Sequence, residues 1–307
     1  MRLAVIGVGH LGRHHARILS SMEGAVLTAV VDTIPERAAE AAAAASTQGL
    51  TDCRELYGAV DAVIVSVPTE RHCEIAVPFL ERGTPVLVEK PMSRTVADAD
   101  RMIAAARAGG AMLAVGHTER HNPAVAAIVH LITSPRFIEV HRLSAFPDRS
   151  LDIDVVFDLM IHDLDIILAL VQSHVTSIEA VGVPVLTPKY DIANVRLRFA
   201  SGCIANITAS RISRDRVRKI RFFQPDSYVS VDYASQEVEG FRLVRKEPRP
   251  DIEGGPITVE RDEPLRLELA DFVRAVRDCT APLVDGEAGR RALLLADQIA
   301  ARMESVV

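Results

Sequence analysis

The stretch LAVIGVGHLG, residues 3–12, decides the fold. Residues 3–6 form a short apolar run, the length of a buried strand. Gly7-Val8-Gly9-His10-Leu11-Gly12 follows at once, and Leu11, His15, Ile18 and Met22 then recur along one helical stripe. A second apolar run ends at Val31 and is closed by Asp32, twenty residues after Gly12. Strand, GxGxxG, helix, strand and acid in this order predict a dinucleotide-binding βαβ unit. Gly7 permits the tight turn, Gly9 lets the backbone approach a pyrophosphate, and Gly12 lets the helix pack close to the strand. The helix start at His10 and Leu11 offers free N–H groups and a positive dipole end to phosphates. Asp32 would accept from a ribose 2′-hydroxyl and repel a 2′-phosphate, which favours NAD over NADP.

Moving outward, the alternation continues. Helical patterns at 36–46, 70–82 and 95–108 separate strand patterns at 62–67, 85–88 and 112–115. Repeated βα units imply a parallel sheet covered by helices, with ligands beyond the carboxyl ends of its strands. Pro68, Thr69, His72, Glu89 and Lys90 all stand at such ends. After residue 118 the rhythm changes. Strand patterns dominate from 136 to 244, and 195–199 alternates Val, Leu and Phe with arginine, as an antiparallel sheet with one packed face would. Residues 248–256 read as a Pro/Gly-rich loop, and 265–279 and 287–304 as amphipathic helices. The expected fold class is α/β: a Rossmann domain over 1–118, then an α+β domain over 119–307 with a largely antiparallel open sheet.

Composition narrows the function. The chain has 307 residues, 49% hydrophobic and 25% charged, with a formal net charge of −6, all ordinary for a soluble protein. Its densest basic stretch, RISRDRVRKIR at 211–221, alternates like a strand and lacks interleaved aromatics, so no nucleic-acid partner is expected. No secretory leader and no apolar run of membrane-spanning length appears, and the four cysteines are scattered. The expectation is a cytoplasmic protein with reduced thiols and no membrane partner.

The segment VVFDLMIHDLDIILALV, 155–171, reads as a buried helix. Asp158, His162 and Asp165 stand at i, i+4 and i+7, on one face. Such a stripe is either a self-satisfied hydrogen-bond network in a core or a working site. No second histidine stands at metal spacing, so no metal is expected.

Together GVGHLG, Asp32, SVPT, EKP and the D-x3-H-x2-D segment resemble the Gfo/Idh/MocA oxidoreductases, across both domains and in the right order. The resemblance implies hydride transfer between a nicotinamide and a sugar or polyol carbon. It makes Lys90 the lysine that hydrogen-bonds the reacting hydroxyl, His162 the residue that exchanges its proton, and Asp158 the acid that assists. Asp165 closes the motif, either as support or in direct contact. Arg120, His121 and Asn122 lie where the family has a basic segment facing substrate, and loop charges are the other reading. The family's glycines before the D-x3-H helix are replaced here by residues 150–154, SLDID. GHTERHNP and DLMIHDLDI resemble the UDP-sugar branch, and Arg211 with the arginines after it could face a diphosphate. Oxidation of UDP-N-acetylglucosamine at its 3-hydroxyl is then the leading expectation. A free-sugar or inositol-type polyol dehydrogenase is one alternative, and a non-catalytic NAD-binding regulatory module another. The resemblance and the half-apolar sheet also suggest a homodimer or homotetramer.

Overall fold

The computed structural model describes residues 1–146 and 153–304. The chain groups into two units. The first holds Met1–Thr118 and Glu263–Leu293, and the second holds Glu119–Asp262 and the chain from Leu294 on.

The first unit alternates β1 (Arg2–Ile6), α1 (His10–Leu19), β2 (Val26–Val31), α2 (Pro35–Ala45), β3 (Gln48–Leu50), β4 (Ala62–Val65), α3 (His72–Glu81), β5 (Val86–Glu89), α4 (Val96–Gly109) and β6 (Leu113–Gly116). Its strands make one parallel sheet in the order β3-β2-β1-β4-β5-β6. Every residue of β4 is fully buried, because helices cover both faces; hence its unbroken apolar run. The order reverses between β1 and β4, so the glycine turn after β1 stands at the switch point. β3 is a three-residue edge strand whose Gln48 and Gly49 carry no apolar signal, and the sequence reading does not anticipate it.

The glycine turn is set by contact. Gly7 has φ +87°, and a Cβ there would lie 2.5 Å from the Ser66 carbonyl oxygen. At Gly12 a Cβ would lie 1.8 Å from the Gly7 carbonyl oxygen, so α1 can sit this close to the turn only with hydrogen at that position.

In the second unit, α5 (Pro123–Ile128) and β7 (Phe137–Leu143) precede a π-helical turn (Val156–Met160) and α6 (Ile161–Val171). There follow β8 (Val175–Val183), β9 (Ile192–Phe199), β10 (Ile204–Ser210), β11 (Val217–Gln224), β12 (Ser227–Asp232), β13 (Glu237–Val244) and β14 (Asp251–Ile257). Among the described residues they form an eight-stranded sheet, β14-β13-β12-β11-β7-β10-β9-β8, in which only β7 and β10 pair in parallel. Ala193, Val195 and Leu197 of β9 point into the core, while Asn194, Arg196 and Arg198 point away. β14 replaces the expected loop at 248–256. It pairs only with β13, and an edge strand tolerates Pro256, whose missing N–H costs no ladder bond on the open side.

The last helices are α7 (Pro264–Asp278) and α8 (Gly286–Glu304). The reading of 119–307 as one domain is corrected here. Leu269, Phe272 and Val273 of α7 are buried with Leu3, Val5, Val30 and Ala42 in the core of the first unit. Amphipathic periodicity marks which face a helix buries, not against which sheet. Phe272→Ala is expected to cost about 3–5 kcal/mol of stability, measured by urea unfolding of the full chain. A cost near zero would remove α7 from that core.

Candidate active site

Gly9 caps the start of α1 with φ −67°, and a Cβ on it would meet no protein atom within 4 Å. Nothing in the protein itself therefore requires glycine at this position, in contrast to Gly7 and Gly12. A group lying against the backbone would, and a pyrophosphate on the first turn of α1 fits that space. Leu11 is half-buried and His10 exposed on that turn. Asp32 is half-buried at the end of β2. Its carboxylate accepts from the N–H groups of Val8, at 3.1 Å, and Ile34, at 3.0 Å. The acid thus braces the glycine turn and keeps lone pairs for a ribose hydroxyl.

Pro68 and Thr69 follow β4 at its carboxyl end, Pro68 exposed and Thr69 half-buried. His72 is buried, with its ring nitrogens 2.9 Å from the Val67 carbonyl and 3.1 Å from the Pro91 carbonyl. It ties the loop after β4 to the one after β5. Burial pushes its pKa down, against the pull of those carbonyls and of Glu89. Glu89, expected to contact cofactor, is buried and bonded to His15 at 2.7 Å. Lys90 is half-buried at the end of β5, and its own N–H donates to the Glu89 carboxylate at 3.2 Å.

In the second unit, Asp158 lies within the π turn and His162 in the first turn of α6, both half-buried. The Ile161 N–H reaches back five residues to the Val156 carbonyl. The expected uninterrupted α-helix, with its i, i+4 stripe, therefore fails across 156–160. Such π turns recur at functional sites. Residues 150–152 of the SLDID segment lie outside the described residues.

A model of the "Oxidoreductase family, NAD-binding Rossmann fold" matches residues 1–117, and one of the "GFO/IDH/MocA C-terminal domain" matches residues 96–224. The chain is 36% identical to the UDP-N-acetylglucosamine 3-dehydrogenase of Acidithiobacillus ferrooxidans, over 99% of this chain and 98% of that one. It belongs to the Gfo/Idh/MocA family. The solved structure of the same A. ferrooxidans enzyme superposes with a TM-score of 0.93, covering 99% of this chain and 98% of that one. The Thermotoga maritima myo-inositol 2-dehydrogenase is 27% identical over 96% of this chain and 94% of that protein. Levoglucosan dehydrogenase solved with NADH shares the fold, with a TM-score of 0.88 at 19% identity over 99% of this chain and 97% of that one. The chain is thus an oxidoreductase with an NAD-binding Rossmann domain. Among the described residues no helix is long and apolar enough to cross a membrane.

Several polar residues of this Gfo/Idh/MocA protein are committed to each other and not to open space. Arg120 donates to both carboxylate oxygens of Asp165 at 3.3 Å, and Asp165 is buried. Asn122 is buried, caps α5 at the Ala124 N–H, and donates to the Tyr233 carbonyl and to Glu119. Both of its amide hydrogens are in use. His121 is also buried. Arg211 is fully buried, 2.8 Å from Asp191, 2.9 Å from the Thr187 hydroxyl and 2.7 Å from the Ile153 carbonyl. It does not face a diphosphate. Strand parity carries the signal: 205, 207 and 209 are inward positions of β10, and 211 has the same parity.

Parity also exposes a network that the sequence reading passed over. Arg142 follows the inward Ile138 and Val140 of β7 and so enters the core, where its guanidinium grips Asp163 of α6 at 2.6 and 3.0 Å and Glu119 at 3.1 Å. Burial lowers the Arg142 pKa, but Asp163 and Glu119 override it and raise it. This pair pins α6 one residue beyond His162.

Burial raises the carboxyl of Asp191. The Leu186 and Thr187 N–H groups, Arg211 and the Thr187 hydroxyl overcome that and hold it far below the aspartate range. A depressed carboxyl contributes its stability in full above its unfolded value, about pH 4, and loses it as pH falls toward the folded value. Asp191→Asn is therefore expected to cost about 3–5 kcal/mol near neutral pH, shrinking in acid, as read from denaturant midpoints across pH.

Proposed function

We propose that this enzyme oxidises the 3-hydroxyl of UDP-N-acetylglucosamine to the ketone with NAD+. The full-length 36% identity to the A. ferrooxidans enzyme carries this assignment. Gly7, Gly9, His10, Leu11 and Gly12 would hold the pyrophosphate, and Asp32 the ribose. Pro68, Thr69 and the Glu89–Lys90 turn would border the nicotinamide. Bound NAD+ supplies a hydride acceptor, so the carbon gives up its hydride while the hydroxyl gives up its proton. Lys90 donates a hydrogen bond to that oxygen and lowers the cost of its developing negative charge. His162 takes the proton at a ring nitrogen, a role suited to an imidazole, and Asp158 assists it. Asp165 holds Arg120 by an ion pair. The reverse reaction uses the same groups in the opposite protonation states.

Free sugars and inositols form the second reading, supported by the 27% identity to the T. maritima enzyme. The discriminating assay is NADH formation over a panel of UDP-sugars, free sugars and inositols. UDP-N-acetylglucosamine is expected to give the highest kcat/KM, with His162→Ala lowering kcat by about 10²–10⁴. Turnover of inositol alone would sink the nucleotide-sugar assignment. Tight NAD binding with no turnover on any member would favour a regulatory module. In the same panel Asp32→Ala is expected to narrow the preference for NAD+ over NADP+, and an unchanged ratio would contradict its role.

We also propose that the protein works in the cytoplasm as a homodimer or homotetramer. Exposed Val181, Val183, Phe241 and Leu243 on the second sheet support self-association. Light scattering that reads a single chain would exclude it.

A further inference from the structure

Glu89, whose carboxylate accepts from the Lys90 N–H, belongs to a buried cluster whose other two members have no role in the reaction above. His15 of α1, Glu89 of β5 and Glu268 of α7 each bring a donor atom within 4.8 Å of the other two, and all three are buried. The elements come from distant parts of the chain but belong to one unit. Two carboxyl groups in so small and dry a space cannot both carry charge without a cation between them. The cluster must therefore hold a proton or a metal ion.

The contacts favour a proton, and they say where it sits. Glu89 has the partners of a carboxylate: the His15 ring nitrogen at 2.7 Å and the Lys90 N–H at 3.2 Å. At 2.7 Å the His15 nitrogen and the Glu89 oxygen are already hydrogen-bonded to each other, which leaves no room for a cation between them. Glu268 is only 2% exposed, with the Thr118 hydroxyl beside it and Asp271 as a further negative neighbour. Burial and the Glu89 charge both push its carboxyl well above the ordinary range. Burial also pushes Glu89 up, but His15 and Lys90 overcome this and draw it below. A Cβ on Gly116 of β6 would come 3.2 Å from the Glu89 carboxylate, so the neighbouring strand too is shaped around that group.

We propose that His15, Glu89 and Glu268 are positioning residues for Lys90. The cluster holds one buried proton, with Glu268, whose carboxyl oxygens meet no hydrogen-bond partner among the described residues, as the neutral acid and Glu89 as the carboxylate that fixes the Lys90 main chain. None of them touches substrate. The proposal rests on Lys90 as the lysine of the reaction. It explains why Glu89 precedes Lys90: the pair of residues joins one buried negative charge to one cation at the end of a strand.

The test has two parts, the first independent of activity. Infrared difference spectra in H2O and D2O should show a buried carboxylic-acid C=O stretch that Glu268→Gln removes. Amide hydrogen exchange at Lys90 should quicken about tenfold in Glu89→Gln and stay unchanged in Glu268→Gln. In the second part, Glu89→Gln should lower kcat about 10–100-fold and move its pH profile, with the NAD+ KM within about threefold. Glu268→Gln, whose amide copies the neutral acid, should recover most of the kcat that Glu268→Ala loses. If Glu89→Gln does not fold, His15→Gln serves for the exchange and pH readouts.

Absence of the infrared band, or its persistence in Glu268→Gln, overturns the proposal. So does an unaltered Lys90 exchange rate in Glu89→Gln. One divalent metal per chain in the purified protein, lost in Glu268→Gln, would replace the proton by a cation. If the band and the exchange behave as expected while no sugar is turned over, the substrate assignment fails and the cluster stands.

Discussion

Removing a charge from water costs several kcal/mol unless a partner replaces the lost solvation, and both units are arranged around that constraint. The second unit buries Arg142 and Arg211 on the apolar side of its sheet. Each finds a carboxylate supplied by another element, Asp163 from α6 and Asp191 from the turn before β9. The first unit buries Glu89 and meets it with His15. These pairs permit few alternative arrangements, because a slip of one residue would strand a charge in the core. They are registration devices, whatever their net contribution to stability.

The same constraint explains how the half-buried groups proposed to act in the reaction are held. Asp158 and His162 sit where a π turn passes into α6, and Asp163 is anchored immediately beyond. Lys90 sits at the end of β5, with Glu89 anchored immediately before it. In each unit the residue given a chemical role stands next to one committed to a buried partner. The backbone is therefore fixed beside the side chain proposed to react. Such arrangement before substrate arrives removes reorganisation from the reaction step.

Most of the fold was legible in the chain. The GxGxxG unit, the order of βα repeats and the alternation of β9 follow from local rules that tertiary context did not override. The misses share a cause. β3 and β14 are edge strands without an apolar pattern, and α7 showed an apolar face without naming its partner. The residues proposed to border the cofactor stand in local motifs at the glycine turn and the strand ends. For Arg211, Arg120, Asn122 and Asp165, polar residues beside motifs, the sequence leaves substrate contact and structural support both open. Strand parity would have placed Arg211 inside, and it would have made Arg142 demand an acid.

By itself the sequence determined the nucleotide half: three glycines, an acid at the end of the second strand, and EKP at the end of a later one. Each belongs to a short motif at a strand end, where residue type and spacing can be read along the chain. Tertiary structure alone decided which polar side chains are spent on one another. His15, Glu89 and Glu268 lie far apart in the chain, as do Arg142 and Asp163, and Arg120 and Asp165. No local rule pairs them, because the cost of burying a charge is set by what the folded chain brings against it.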